Sequence, residues 1–282
     1  MITAKNMVNR FLQVKTLPHV AFKLTRMISE DNSTMQEFES VIKLDPTLVL
    51  KTLKLVNSPM YALRKKVINI SEAVVYIGME NLRNMIVVSS IKDIFKEEFK
   101  SDSFSRPQLW LHCAAVAICN QMIAERIMGE KGEDSFLCGI LHDFGMIIED
   151  QVVHDDFLKT CDAYQETNEL ITTLESDIIG TNHCEVGAII SEQWKLPENI
   201  IKGIKKHHNK NSILPPNDIT SITQIGEYLV SRMGYTSLPE MKGTLPDSLA
   251  QHMKENISEY KTIAMDLPGE LKKAEEVYKI DN

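Results

Sequence analysis

The sequence predicts an all-α chain, a multi-helix bundle with an N-terminal helical subdomain. Three observations carry that expectation: apolar residues recur at three- and four-residue spacing almost throughout, sustained alternation is missing, and helix-opening signals stand where the periodic runs begin. Val20, Leu24, Met27 and Ile28 make one apolar stripe, and Leu48, Thr52, Leu55 and Val56 make another. Thr34 and Glu37 form a capping box, in which the threonine oxygen accepts a first-turn N–H and the glutamate returns to the threonine's own. Asp45-Pro46 sets a cap before a proline at the first helical position, where a missing N–H costs nothing, and Pro197-Glu198 repeats the pattern.

A chain of 282 residues with 43% hydrophobic and 25% charged content has enough apolar surface for one large core or two small ones. The five cysteines, Cys113, Cys119, Cys138, Cys161 and Cys184, are odd in number, lie in or beside apolar runs and show no CxxC spacing. They read as reduced thiols packed as small apolar side chains, not as a disulfide framework. The opening MITAKNMVNRFLQV lacks the apolar core of a secretion signal, and no window approaches the roughly 18 apolar residues of a membrane span. A cytoplasmic chain without a membrane partner is the expectation. The formal net charge of −8 repels a phosphate backbone, and only LRKK at 63–66 and IKKHH at 204–208 concentrate positive charge, so nucleic acid is disfavoured as a partner.

Polar KEEFKSDSFSRP at 96–107 separates regions of different chemistry. It sets an N-terminal helical lobe at 1–105, a second lobe at 106–245 and C-terminal accessory helices at 246–282. Of the eight histidines only His19 precedes that break, and six fall between 112 and 208, so metal or acid–base chemistry belongs to the second lobe.

Five elements there bear on chemistry. His112 sits in PQLWLHCAAVAICNQMIA, a helix apolar on nearly every face. His142-Asp143 stands in ILHDFG; adjacent residues on a smooth helix point about 100° apart, so the pair meets one ion only from a helix edge. Asn182 and Glu185 are a cap and its return partner, so His183 opens a helix. His207-His208 ends a basic helix, its rings turned toward different partners, and Glu227 lies on a long helix beside Gln224. Each taken alone has a structural reading: a satisfied core histidine, a surface histidine, a solvated helix end or a surface charge. Together they supply enough nitrogen and oxygen donors for one octahedral ion or for two. Imidazole beside carboxylate suits a divalent first-row ion, iron first, with manganese, nickel or zinc as alternatives.

These residues resemble the HD superfamily of metal-dependent phosphohydrolases, whose signature is a histidine, then His-Asp, then a later aspartate. His112, His142 and Asp143 match its first three members, and Glu227 falls where the aspartate is expected. His183, followed by Val186-Gly187, and the pair His207-His208 resemble the further ligands of the HD-GYP branch, which cleaves cyclic di-GMP with two or three metals. The first lobe is similar to a narrower relative, the HDOD pattern. TLPHVAFKLTRMI, IKLDPTLVLKTLKLVNSPMY and INISEAVVYIGMENLRNMIV carry it, with Asp45-Pro46, Asn57-Ser58, Tyr61 and Ile77-Gly78 in place. Downstream, ESDIIGTNHCEVGAIISEQWKLPENIIKGIKKHHN continues it with Glu175, Trp194, Leu196 and Pro197, over roughly residues 15 to 235 in all.

The resemblance implies a bacterial signalling output module with an HD-like bundle, meeting a kinase, a cyclase or a receiver. It also implies a ligand set: His112, His142, Asp143 and Glu227 for one ion, Asp143, His183 and His207 or His208 for another. The alternative is a metal-dependent phosphohydrolase acting on a cyclic dinucleotide or another phosphoester, with His142 and Asp143 as its catalytic pair. The departures bear on that alternative. Met146 stands where the HD-GYP lysine would assist phosphate, no GYP follows the histidine pair, Gln108 replaces a glutamate found in some trinuclear relatives, and Glu227 is one methylene longer than aspartate. Lys205 or Lys206 is the expected electrostatic replacement for that lysine, although nothing in the sequence orients either one.

Overall fold

Every regular element among the described residues is helical, and none is long and apolar enough to cross a membrane. The computed structural model describes residues 1–14, 23–24, 26–27, 34–44, 46–57, 63–95, 101–167, 169–211 and 213–279. The Asp45 cap, Val20, Ile28, His19, Ser58 and Tyr61 lie outside these. The helices are α1 (Ala4–Val14), α2 (Met35–Ile42), α3 (Pro46–Val56), α4 (Ile70–Ile77), α5 (Met79–Phe95) and α6 (Arg106–Ile123), the last running into a π-helical turn at Ala124–Met128. They continue with α7 (Glu133–Leu141), α8 (Phe144–Val152), α9 (His154–Thr167), α10 (Ile171–Ile178), α11 (His183–Gln193), α12 (Glu198–Lys206), α13 (Ile219–Arg232), α14 (Asp247–Glu255) and α15 (Ile257–Lys279).

The local signals act much as the sequence reads. Thr34 Oγ1 accepts the Glu37 N–H at 3.3 Å while Glu37 accepts the Thr34 N–H at 2.8 Å, a complete capping box. Asn57, from the VNSP stretch, accepts the Val67 N–H at 2.8 Å and donates to Val67 O and Leu53 O, both at 2.7 Å, which ties the end of α3 to the start of the next segment. Gly78 separates α4 from α5 at φ 79° and ψ 163°, a conformation that side-chain-bearing residues avoid. Pro197 differs from expectation by one position: it is the cap itself, and Glu198 opens α12.

Three buried apolar clusters hold the bundle. The first gathers Phe38, Val41, Ile42, Val56, Val67, Ile70, Ala73 and Val74 from α2 to α4, with Leu82, Met85 and Ile86 from α5. The second, around Phe144, Ile147, Ile190 and Ile204, takes Val87, Val88, Ile91 and Phe95 from the other half of α5. That helix therefore serves both, which is why its middle is buried on every side. The second cluster also takes Met7, Val8 and Phe11 of α1, so the first helix packs with α8 and α11 and not in the cluster of α2 to α4. In the third, Tyr260, Ile263, Leu267 and Leu271 present one face of α15 to Ala115, Cys119 and Met122 of α6.

Where α5 crosses the start of α7 the contact is polar. Arg83, 1% exposed, donates from Nη2 to Asp134 at 2.8 Å and from Nε to Asn84 Oδ1 at 3.0 Å, and Asn84 donates to Glu133 O at 2.6 Å. Arg83→Met keeps the volume but leaves Asn84 Oδ1 without its donor, so urea unfolding should show a loss of about 1–3 kcal/mol with an unchanged m value.

Candidate metal centre

The HD pair converges because the helix breaks between its members. His142 is the last helical-angled residue after α7, whereas Asp143 (φ −100°, ψ 9°) leaves the helix and caps α8. Turned back in this way, Asp143 Oδ2 lies 3.3 Å from His142 Nε2. His112, from α6, brings its Nε2 to 3.2 Å from His142 Nε2 and 3.5 Å from Asp143 Oδ2. The other carboxylate oxygen faces a second pair: His183 Nε2 and His207 Nε2 are 3.3 Å apart, and each is 3.4 Å from Asp143 Oδ1. All four imidazoles and the carboxylate are buried.

Each of the four rings is fixed through its other nitrogen. His142 Nδ1 donates to Gly139 O and His207 Nδ1 to Ile204 O, both at 2.7 Å. Both acceptors belong to the last turn of the helix that the histidine ends, where carbonyls lack intrahelical partners. His112 Nδ1 donates to Tyr235 O at 2.9 Å, in a loop that Gln108 steadies through Thr236 O at 3.1 Å. His183 Nδ1 donates to the Glu175 carboxylate at 2.8 Å, and the same carboxylate accepts the His183 backbone N–H at 3.1 Å. Carbonyls only accept, so a neutral ring held this way carries its lone pair on Nε2, aimed inward. With the rings neutral, the lone pairs of each pair face each other across 3.2 and 3.3 Å beside a buried Oδ1 with no hydrogen-bond partner, an arrangement that a shared cation, proton or metal, relieves. The separations of 3.3 to 3.5 Å from Asp143 exceed those of charge-assisted hydrogen bonds, about 2.7–2.9 Å, and suit donors spaced around an ion. The residues present therefore fit a divalent metal.

The remaining expected ligands lie differently. α12 ends at Lys206, and the rings of His207 and His208, tilted by 45° with centroids 4.2 Å apart, face different partners as expected: His207 turns to Asp143 and His183, His208 to Glu227. His208 Nε2 is buried without a partner, and its Nδ1 is 3.9 Å from Glu227 Oε1. Glu227 is 6% exposed and so is no surface charge. It faces His208 and stands outside the donor group of His112, His142 and Asp143, whose ligand atoms lie within 4.8 Å of one another. His154 is elsewhere, bonded to Asp150 at 2.7 Å.

Three residues of the centre escape the sequence reading. Cys184 joins His183, His207 and His208 within 4.8 Å, so it is not simply a small apolar side chain. Glu175 belongs to the stretch that carries the resemblance but shows its role only through its bonds to His183. Glu149, fully buried, has no hydrogen-bond partner at either oxygen; burial and the neighbouring Glu175 carboxylate push its pKa well above the usual carboxylate range.

Burial alone would raise Asp143, but His142, His207 and His183 hold it well below the usual carboxylate range. Burial pushes His112 down to about 4 against the pull of Asp143, and pushes His208 well below its ordinary value with the neighbouring His207 adding to it. His183 and His207 are raised despite burial because Cys184 sits beside them, and those two rings bring the Cys184 thiol, which burial would raise, to about 7.

A cavity of about 180 Å³ reaches this cluster, lined by Tyr164, His207, His208, Glu227, Lys210 and Lys242. Lys205 and Lys206, expected as stand-ins for the missing lysine, are exposed and do not line it. Met146, in the lysine's place, is 1% exposed.

A family model for the HDOD domain matches residues 14–210. The chain belongs to the HDOD domain family. An uncharacterized protein of Treponema pallidum (strain Nichols) is 28% identical over 211 residues, 73% of this HDOD chain, which spans only 40% of that relative's length. Solved structures share its fold. An HDOD domain protein of unknown function from Geobacter sulfurreducens matches with TM-score 0.66 and 22% identity over 93% of this chain and 97% of that one. A protein from Shewanella amazonensis named as a candidate phosphohydrolase matches with TM-score 0.66 and 21% identity over 98% and 93%. One from Marinobacter aquaeolei VT8 named as a candidate signal transduction protein matches with TM-score 0.68 and 19% identity over 95% of this chain and 64% of that one. At these identities the likeness concerns the fold alone.

The glycine of HDFG follows from the same packing. A Cβ on Gly145 would stand 2.0 Å from His183 O, a backbone atom that moves only with α11. Gly145→Ala should therefore lose about 1–3 kcal/mol in thermal or urea unfolding and, by shifting His183, weaken metal retention measured by dialysis. His112 sets a pH dependence. The unfolded chain protonates it near 6.5, the folded chain only near 4, so its contribution is complete above 6.5 and is lost as pH falls through that window. Chelator-treated protein should lose roughly 3 kcal/mol more than His112→Gln between those limits in urea unfolding.

Proposed function

We propose that this HDOD chain is a bacterial signalling output module whose second lobe holds one or two divalent first-row ions about Asp143. It acts by presenting a surface to a kinase, cyclase or receiver-type partner. The observation that carries the metal half of this reading is the convergence of four Nε2 atoms on a buried carboxylate, one oxygen to each pair. His112, His142 and Asp143 Oδ2 would hold one ion, and His183, His207 and Asp143 Oδ1 the other, iron being the first expectation and manganese, nickel or zinc the alternatives. Interaction over turnover is supported by buried Met146 in the lysine's place and by Ile68, Val75 and Tyr76 of the first lobe, which are 69%, 70% and 52% exposed.

A phosphohydrolase is the second reading, and the cavity favours it. Such ions, when bound, lower the pKa of a bound water and neutralise charge on phosphate. In this chain Lys210 and Lys242 would draw an anion toward His208 and Glu227. Pockets for drug-sized ligands run about 300–1,000 Å³. A cavity of about 180 Å³ has room for a small phosphoester.

Untagged protein handled anaerobically should retain close to a full equivalent of metal or more, and Asp143→Ala should lose it. Less than about a tenth of an equivalent in the wild type contradicts the metal half. Metal-loaded protein should leave cyclic di-GMP and small phosphomonoesters intact. Turnover abolished by His142→Ala and Asp143→Ala overturns the module reading in favour of the hydrolase.

A further inference from the structure

Cys184 lies outside the ligand set that the family resemblance implies. Its Sγ is buried 3.4 Å from His183 Nε2 and 3.9 Å from His207 Nε2. Among the described residues the other four cysteines join no such donor group; Cys138, for one, accepts from Thr223 Oγ1 in the apolar core. We infer that Cys184 supplies a thiolate ligand to a metal held by Asp143, His183 and His207, making this half of the centre a mixed sulfur, nitrogen and oxygen site. The inference rests on the reading of the cluster as a metal centre.

The spacings carry it. A tetrahedral ion with metal–nitrogen bonds of about 2.0–2.1 Å holds two nitrogens about 3.3–3.4 Å apart, and a thiolate at about 2.3 Å stands about 3.5–3.6 Å from each. The two Nε2 atoms are 3.3 Å apart and Asp143 Oδ1 is 3.4 Å from both, as such an ion requires; Cys184 Sγ is 3.4 Å from His183 Nε2 and 3.9 Å from both ring nitrogens of His207, beside that ring, so its side chain turns toward Nε2 on binding. Independently, Asp143 Oδ1, on a residue 1% exposed, has no hydrogen-bond partner and lies 3.4 Å from the Nε2 atoms of both His183 and His207.

Local structure explains how neighbours in sequence serve one ion. Asn182 caps α11 by accepting the Glu185 N–H at 3.0 Å, while Glu185 turns to Thr181 Oγ1 at 3.1 Å instead of returning to the cap. Glu175 pins His183 at both its backbone N–H and Nδ1, which leaves Nε2 and the following Sγ on one side. Binding replaces the S–H proton by a metal–sulfur bond, and the proton leaves to solvent. A thiolate shifts the preference of this half toward zinc or ferrous iron and away from magnesium or manganese.

The test uses the full, untagged chain, stripped and reloaded anaerobically with cobalt(II), beside Cys184→Ser and Cys184→Ala. The wild type should develop a near-ultraviolet thiolate-to-cobalt charge-transfer band that both variants lose while still binding cobalt. Zinc-edge X-ray absorption of the zinc-loaded wild type should show a sulfur scatterer, and alkylation mapped by mass spectrometry should find Cys184 protected only when metal is present. Metal bound with nitrogen and oxygen neighbours alone, or a band that survives in Cys184→Ala, overturns the thiolate and leaves the metal centre standing. A wild type that binds no metal overturns both. Where a variant does not fold, the wild-type X-ray absorption decides alone.

Discussion

The centre of this protein depends on a single buried carboxylate. Asp143 is taken out of water and given no hydrogen-bond donor for Oδ1, an arrangement that is costly unless positive charge sits beside it. Two pairs of imidazoles stand around it, one pair to each oxygen. Their inner nitrogens lie too close together to be left as facing lone pairs, so the cluster needs protons or metal to be stable. Metal satisfies both demands at once, because it neutralises the carboxylate and uses every inward lone pair.

The bundle is arranged to keep that geometry. The break between α7 and α8 turns Asp143 back over His142, and the end of α12 sets His207 toward Asp143. Helix ends supply the restraint as well: the last-turn carbonyls Gly139 O and Ile204 O lack intrahelical partners and take the Nδ1–H of His142 and His207. Gly145 allows α8 to touch the backbone at His183, which brings the two halves of the centre to one carboxylate. Behind His183 lies Glu175, which orients the ring from outside the immediate donors, and beside Glu175 is the buried Glu149, its pKa raised by burial and by that carboxylate. The π-helical turn that follows α6 sits well after His112 and leaves its register undisturbed.

Much of the architecture was legible before any coordinates. Helical periodicity and caps such as Thr34 with Glu37 are local, and local signals survive into the fold. The membership of α1 in the second core was not legible, because Met7 and Phe11 look the same whichever core they fill. For the cluster, residue types and order pointed to His112, His142, Asp143, His183, His207 and His208 as neighbours, and the structure brings them together. The direction of the HD pair could not be read, since a smooth-helix assumption sends adjacent side chains apart and the pair sits where a helix stops. Cys184 was hidden for a different reason: a buried thiol among apolar residues and a thiol beside two imidazoles have the same sequence signature. Likewise, Lys210 and Lys242 reach one cavity from distant loops, which no spacing rule relates.

The central claim is that cations occupy the space between Asp143 and the four imidazoles. Anomalous diffraction from crystals of untagged, anaerobically purified protein, collected on both sides of the absorption edge of the metal found by elemental analysis, tests it most directly. The account predicts at least one anomalous peak within bonding distance of Asp143 and of a histidine pair. An anomalous map featureless at Asp143, in protein exposed to excess ferrous or zinc ion, would contradict it.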